Sequence, residues 1–463
     1  MRTTLVAAAL CALLMATAFE AISANRCVVE PGTAGVTPTP PYTSWATAGT
    51  NIKEVVDVAN ANNAGDLVIV SNGTYWLTNE ISVGYTVVTN ASGDRTQVVI
   101  NGNFPAYTNR CFYVHNGGAG VVGLTITNGA LTNTIDGGAG VRLTAGYVRN
   151  CVIAGNQLWY AGGNSSGGGG IIISAGAEAS DCDIIGNTIY TGLETYSGGG
   201  GACVAGRLNR SYLAFNVATN FAGSNPWNSN GGGALIAEPG SVYQCTIVSN
   251  YSYANRYGIM GGGGVYLMGG SLSNSFIMYN YATAIGGGVA MGFAGANIRN
   301  CVMAFNRSPG GGGIQMVQQP AMVENCTVVS NYPNGVQIRS AWGSPAGNIV
   351  NCIFYWNQGP DLVRDAPSTY SAELALAACC VSPAFGSWIN PGGTTNDPLL
   401  VSIESTNFRL LSAQSSCYNH GVNLSWMTGA VDLDGHRRID RVGNAVDIGA
   451  YELLPSISMI GFH

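Results

Sequence analysis

Lysine is all but missing from this chain: Lys53 stands alone, and arginine brings the basic residues to only 18 in 463. A surface that neutralises phosphates needs clustered cations, so nucleic acid and anionic membrane are excluded as partners. Charged residues of both signs make up 9%, against about 25% in ordinary globular proteins. Histidine is equally scarce. None lies between His115 and His420, so that stretch offers neither an imidazole base nor a histidine metal ligand. Carboxylates are thin there too: residues 137–357 hold Glu178, Asp181, Asp183, Glu194, Glu238 and Glu324 and no others. No apolar run reaches the roughly 20 residues that span a bilayer, so no transmembrane segment is expected.

Glycine, in contrast, supplies 66 residues, and hydrophobic residues supply 46%. Such a chain can bury a core, and its glycines lack the three-residue period of a collagen, so one long repetitive body is expected. At the N-terminus, Arg2, an apolar run from Leu5 to Ala18 and small residues up to Ala24 predict a secretory signal peptide over 1–24. That reading leaves 12 of the 13 cysteines in an exported chain. Residues 25–49, rich in Pro, Thr and Ala, read as an extended leader. Thr50 then caps a short helix whose Ile52, Val55, Val56 and Ala59 share one face, and Leu67 to Val70 and Gly73 to Leu77 read as strands.

An internal repeat dominates the remainder. Segments such as NCVIAGN, DCDIIGN, RSYLAFN, QCTIVSN, NSFIMYN, NCVMAFN, NCTVVSN and NCIFYWN end at Asn156, Asn187, Asn216, Asn250, Asn280, Asn306, Asn331 and Asn357, with glycine runs between them. Almost all variation in length falls between each Asn and the next glycine run. The rest of each repeat, 19 to 23 residues, is too small to bury a core alone and must stack as one coil of a solenoid. Alternation places Val265 and Leu267, Val289 and Met291, Ile314 and Met316, and Val336 and Ile338 inward, with Tyr266, Ala290, Gln315 and Gln337 outward. A second inward pair of columns runs through Cys151, Cys182, Ser211, Cys245, Ser275, Cys301, Cys326 and Cys352, and through Ile153, Ile184, Leu213, Ile247, Ile277, Met303, Val328 and Ile353. The serines in that column, and the parallel Cβ vectors of stacked strands, point to buried thiols, not disulfides. The same register pairs Asp181 with Arg210 and Arg299 with Glu324 across adjacent coils. The repeat Asn is expected in a left-handed turn, passing a side-chain hydrogen bond to the next coil.

These GGx and φxxN repeats resemble those of right-handed parallel β-helix proteins of bacterial surfaces, including polymorphic outer-membrane proteins. The opening is similar to pectate-lyase-like solenoids. The tail, with DPLL at Asp397, NFRLL at Asn407, SSCYNHG at Ser415 and DLDGHRRID…VDIGAYE from Asp432, resembles the choice-of-anchor module of secreted β-helix proteins. The expected fold is therefore all-β: a right-handed parallel β-helix over 50–357, opened by a capping helix and closed by a capping module over 358–463. The resemblance implies a secreted or cell-surface location, and it spans polysaccharide lyases, glycoside hydrolases and adhesins, so residues must decide the function.

Asp181 and Asp183 flank inward Cys182 and project from one outer face, where they either solvate a strand or serve a lyase or hydrolase. Residues 157–166, 188–197, 217–230 and 251–260 read as long loops leaving successive coils at one corner, and later loops as too short to contribute. They carry Trp159, Tyr160, Tyr190, Tyr196, Phe221, Trp227, Tyr251, Tyr253 and Tyr257, rings suited to stacking on a polysaccharide or cell-surface glycan. The alternative is a satellite core over outward Ile172, Leu235 and Tyr266. Asp432 and Asp434 open a DxDG pattern that suggests Ca2+, but Gly443 stands where a calcium loop has its bidentate Glu, and an acidic capping turn is the other reading. No other cofactor is indicated.

Overall fold

The computed structural model describes residues 23–132, 137–160, 167–191, 198–220, 229–253, 260–292, 295–316, 321–338, 347–364, 374–382, 390–439 and 443–454. The signal segment expected over 1–24 thus lies almost wholly outside the described residues. Repeats this short cannot close a core within one coil, and the chain stacks them as a parallel β-helix. Among the described residues, three long parallel sheets of 11, 13 and 12 strands and a shorter one of 6 run along the solenoid. One coil visits them in turn: Ile171–Ile173 in the first sheet, Glu178–Ser180 in the second, Asp183–Ile185 in the third and Thr188–Thr191 in the fourth.

The expected inward columns of the first and third sheets form the buried core, and the second sheet adds Val148, Ala179, Leu208, Val242, Leu272, Ile298, Val323 and Ile349. One position differs. Val328 is paired with Phe354, so Phe354 enters the core and Ile353 faces outward into a second cluster.

The repeat Asn is the link between coils. In Asn187, for example, the backbone N–H and Nδ2 both donate to Oδ1 of Asn216, at 2.9 and 3.0 Å, and Nδ2 also donates to the Ile153 carbonyl at 2.8 Å. The same bonds recur through Asn331, whose N–H and Nδ2 reach Asn357 Oδ1 at 2.9 and 3.1 Å, and the row ends where Asn357 Nδ2 donates to Asp361 Oδ1 at 2.8 Å. A ladder amide in this position leaves no room beside it for a side chain. A Cβ on Gly201 would lie 2.8 Å from the Gly233 carbonyl and 2.9 Å from the Asn216 amide, which explains why glycine runs accompany the asparagines.

The left-handed turns lie elsewhere than expected. The ladder Asn does not have positive φ; the residue before it does, as in Phe215 (φ 56), Ser249 (55), Tyr279 (56) and Phe305 (58). A second left-handed residue precedes the Cys/Ser column in each coil, including Asn150, Asp181, Arg210, Gln244, Asn274, Asn300, Asn325 and Asn351. These two bends cut out the three-residue strands of the third sheet and separate it from the second. The Cys/Ser column makes a weaker ladder of its own: Cys182 and Cys245 donate their N–H to Ser211 Oγ at 3.1 Å and Ser275 Oγ at 3.0 Å, and Cys326 N–H to Cys352 Sγ at 3.4 Å. All 12 described cysteines are buried, and those of the column stand as free thiols, as their register implies.

Both ends depart from the expected boundaries. Asn25–Val28 is not a loose leader but the first strand of the second sheet, paired with Asp66–Val70 and pinned by a buried Arg26 Nε to Asp66 Oδ2 ion pair of 2.5 Å. The helix Ile52–Asn62 buries the expected Ile52, Val55, Val56 and Ala59, but Asn51, not Thr50, caps it. At the other end the coils continue past 357 through Leu374–Ala377 and Cys380–Val381. The tail then lies on the outer face of the third sheet, where Phe408, Leu410, Ile448, Ala450 and Tyr451 bury Val302, Val329 and Ile353.

Two substitutions test this account. Asn250→Ala strands the Asn216 N–H and the Leu213 carbonyl in the core and is expected to cost roughly 2–6 kcal/mol, read from the urea midpoint. Phe215→Gly relieves a left-handed aromatic that is 60% exposed and is expected to stabilise by about 1 kcal/mol; no gain, or a loss, would contradict the turn assignment.

Candidate functional site

Two surfaces collect the chemistry that the sequence singles out. The first is an open groove of about 480 Å3 on the third sheet, lined by Arg95, Asn150, Asp181, Asp183, Arg210, Tyr212, Gln244 and Thr246. It is the stretch of that sheet left uncovered between two neighbours. On one side the 91–97 segment carries Arg95, whose guanidinium pairs with Asp183 and reaches the Asp181 carbonyl at 3.2 Å. On the other side the C-terminal module begins, held by Asn274 Nδ2 donating to the Val431 and Asp432 carbonyls at 3.1 and 3.0 Å.

Asp181 and Asp183 are brought to one face, as their spacing implies, but each meets an arginine. Asp181 forms the cross-coil pair expected with Arg210, bidentate at 2.8 Å for both contacts; Arg299 and Glu324 pair likewise at 2.6 Å. Arg210 holds the Asp181 carboxyl below its usual range. A general acid needs the opposite shift, and a metal would have to displace two guanidinium groups.

The second surface is aromatic. The segments read as long loops begin as strands of the fourth sheet, Gln157–Tyr160, Thr188–Thr191, Val217–Asn220 and Tyr251–Tyr253. Their alternate residues Leu158, Ile189 and Ala218 are buried together, so the residues between them point out. Trp159 and Tyr190 occupy one outward column, with ring centroids 4.0 Å apart and planes 18° from parallel, and Tyr253 continues it beyond Thr219. The neighbouring column holds Tyr251 stacked on Tyr281, with centroids 5.4 Å apart, then Arg307 and Tyr332 in bridge register, with the Arg307 guanidinium 4.9 Å from the Tyr332 ring centre. Trp159, Tyr253, Tyr281 and Tyr332 are exposed.

Tyr281 and Tyr332 belong to coils whose loops looked too short to take part. Their signal is the Asn-Tyr step, repeated at Asn250, Asn280 and Asn331, which places tyrosine directly after the ladder. Of the other expected ring residues, Tyr196, Phe221, Trp227 and Tyr257 lie outside the described residues, as does the side chain of Tyr160. The outward residues Leu235, Tyr266 and Ala290 are buried on the outside of the first sheet, with Ile172 packed against them; most of the loop residues that would cover them as a satellite core lie outside the described residues.

In the tail, Asp432 and Asp434 approach each other and His436, the one group of possible metal ligands among the described residues. The carboxylates are already engaged. Asp432 Oδ1 accepts from the N–H groups of Asp434 and His436 at 2.9 and 2.8 Å, and Oδ2 from Glu452 N–H at 2.7 Å; Asp434 is paired with Arg409, with Nε to Oδ2 at 2.5 Å. This arrangement closes a turn and does not fit Ca2+, which requires six to eight oxygens, several of them anionic. Beneath it, fully buried Arg438 contacts Glu452 at 3.2 Å.

No protein-family profile matches the sequence, and no curated protein is similar to it. Some solved structures resemble the chain loosely. Pectate lyase Pel9A is 15% identical, with 93% of this chain and 97% of that chain covered and a TM-score of 0.44. The PL6 family alginate lyase AlyGC is 11% identical over 87% of this chain and 59% of that chain, TM-score 0.45. The A-module of Azotobacter vinelandii mannuronan C-5 epimerase AlgE4 is 14% identical over 72% and 94%, TM-score 0.35. At these TM-scores the likenesses carry no argument, and the site must be argued from this chain's own residues.

Burial, aided by Asp447 and Asp432 and opposed by Arg438, pushes the Glu452 carboxyl from 4.5 up to about 9. A raised acid binds its proton more tightly in the folded state, so its contribution is complete below the unfolded value and is lost as pH rises toward about 9. The stability of the C-terminal module is expected to decline across that window, and Glu452→Gln to flatten the decline, as followed by hydrogen exchange at Ile448 and Ala450.

Proposed function

We propose that the chain is a secreted or cell-surface protein that binds polysaccharide along the outward face of the fourth sheet. The observation that supports this reading is the pair of aromatic columns. Coils rise about 4.8 Å, so the six steps from the Trp159 coil to the Tyr332 coil extend roughly 29 Å. Rings in two neighbouring columns, stacked in the pairs Trp159–Tyr190 and Tyr251–Tyr281 and interrupted at Thr219 and Arg307, offer a rigid track to sugar rings at little cost in side-chain entropy. Stacking such large exposed rings serves no core, since Leu158, Ile189 and Ala218 already fill the underside.

Binding, and not cleavage, is the reading that the chemistry favours. Asp181 and Asp183 are each neutralised by an arginine, and the depressed Asp181 cannot deliver a proton near neutrality. The partner is a polysaccharide or cell-surface glycan whose apolar ring faces stack on the track.

Trp159→Ala with Tyr332→Ala is expected to lower retention on a glycan array at least tenfold while leaving the melting temperature within a few degrees, because both rings lie on the surface, 40% and 42% exposed, and fill no core. Unchanged retention by the folded variant would remove the ring track from consideration. A melting temperature lowered by the amount typical of a core cavity would instead place these rings in the packing.

A further inference from the structure

The C-terminal module meets the solenoid through a buried cluster that contains two cysteines from different parts of the chain. Cys380 and Cys417 are both inaccessible to solvent and share that cluster with Val329, Ile353, Phe408 and Ile448. Cys379 continues the inward Cys/Ser column, its thiol directed at the Ile349 carbonyl at 3.6 Å. One residue later the strand Cys380–Val381 turns its cysteine to the opposite face, toward the module. Cys417 waits there with its backbone fixed: its N–H donates to Ser415 Oγ at 3.1 Å and its carbonyl accepts from Ile448 N–H at 2.9 Å. Cys380 Sγ donates to the Asn396 carbonyl at 3.3 Å, and the Cys417 thiol beside it, together with burial, pushes the Cys380 thiol up.

We propose that Cys380 and Cys417 form a disulfide that staples the C-terminal module to the last coil. The column thiols show why this pair differs. Cys301, Cys326 and Cys352 also touch their neighbours, but they stem from parallel strands in matched register, whose Cβ bonds run parallel and resist the near-perpendicular torsion of a disulfide. Cys380 and Cys417 come from a strand and a turn 37 residues apart in sequence, and no shared register aligns their Cβ bonds.

The oxidant is a small-molecule disulfide such as glutathione disulfide. One protein thiolate attacks it and releases one glutathione thiolate; the second protein thiolate then attacks the mixed disulfide and releases the other. The protein loses two protons and two electrons, and glutathione disulfide is reduced to two thiols. Both sulfurs are buried after docking, so exchange precedes final closure of the interface, which then shields the bond from reductant.

The test uses the full chain refolded in a glutathione redox buffer, alkylated without reduction and cleaved after arginine. No arginine or lysine separates Arg364 from Arg409 or Arg409 from Arg437, so the two cysteines fall in separate peptides, 365–409 and 410–437. The expected product is one cross-linked species joining them through Cys380, with Cys379 alkylated. Cys379→Ser should retain the cross-link and Cys417→Ser should lose it. Separate peptides with Cys417 alkylated, or a bond from Cys417 to Cys379, would overturn the proposal. The peptide map of the unaltered protein decides the matter even if a variant fails to fold.

Discussion

A side-chain amide that donates toward one neighbouring coil and accepts from the other is the constraint on which this molecule depends. The ladder residues from Asn156 to Asn331 are buried, and a buried amide left unpaired would cost more than a paired one gains. The ladder is therefore kept whole or not at all. Its demands explain the rest of the repeat: the coil rise is held to one amide per step, the glycines beside it have no space for a Cβ, and the preceding residue must bend left-handed to aim the amide along the axis. Composition follows from geometry. A chain that spends its polar groups on internal ladders and its remaining positions on apolar columns has few places for lysine or glutamate.

The outer face of the third sheet shows how one structural position serves two purposes. At the left-handed residue before the Cys/Ser column, the later coils present Asn274, Asn300, Asn325 and Asn351, each donating its side-chain amide to backbone carbonyls of the C-terminal module. The earlier coils carry Asn150, Asp181, Arg210 and Gln244 at the same place, and there the sheet lies open as a groove. Asparagine tolerates the left-handed bend and carries a donor of the right length for docking. Aspartate and arginine replace that grip with charge pairs satisfied within the solenoid.

Much of this was legible in the residues, and the failures have physical causes. Inward columns could be read because strand alternation and repetition reinforce each other, and the cross-coil pairs Asp181 with Arg210 and Arg299 with Glu324 followed from register alone. The assignment of Ile353 to the core failed because both faces of its strand are buried, one by the module, so hydrophobicity no longer distinguishes inside from outside. The fourth sheet was hidden by brevity: each strand offers a single buried residue, such as Leu158 or Ile189, too few to show a period. The first strand escaped because the Pro, Thr and Ala that follow it set the composition of residues 25–49, and the Asp66 that neutralises buried Arg26 lies forty residues away. Among the candidate site residues, Trp159 and Tyr190 emerged on the same exposed stack, while Tyr281 and Tyr332 were overlooked because loop length was weighed above position relative to the ladder.

The termination of the ladder at Asp361 has a consequence for how such a chain can change. Every coil between Gly129, whose N–H opens the row on Asn156 Oδ1, and Asn357, which closes it on Asp361, makes the same bonds to the coil before and the coil after. A tandem duplication of one whole coil would thus reproduce all local interactions and leave both closures untouched, lengthening the exposed track by one step. Insertion or deletion of a fraction of a coil would instead break the row at once. The genetic unit of growth for this molecule is the coil, and its length is fixed by its two end groups, not by any limit within.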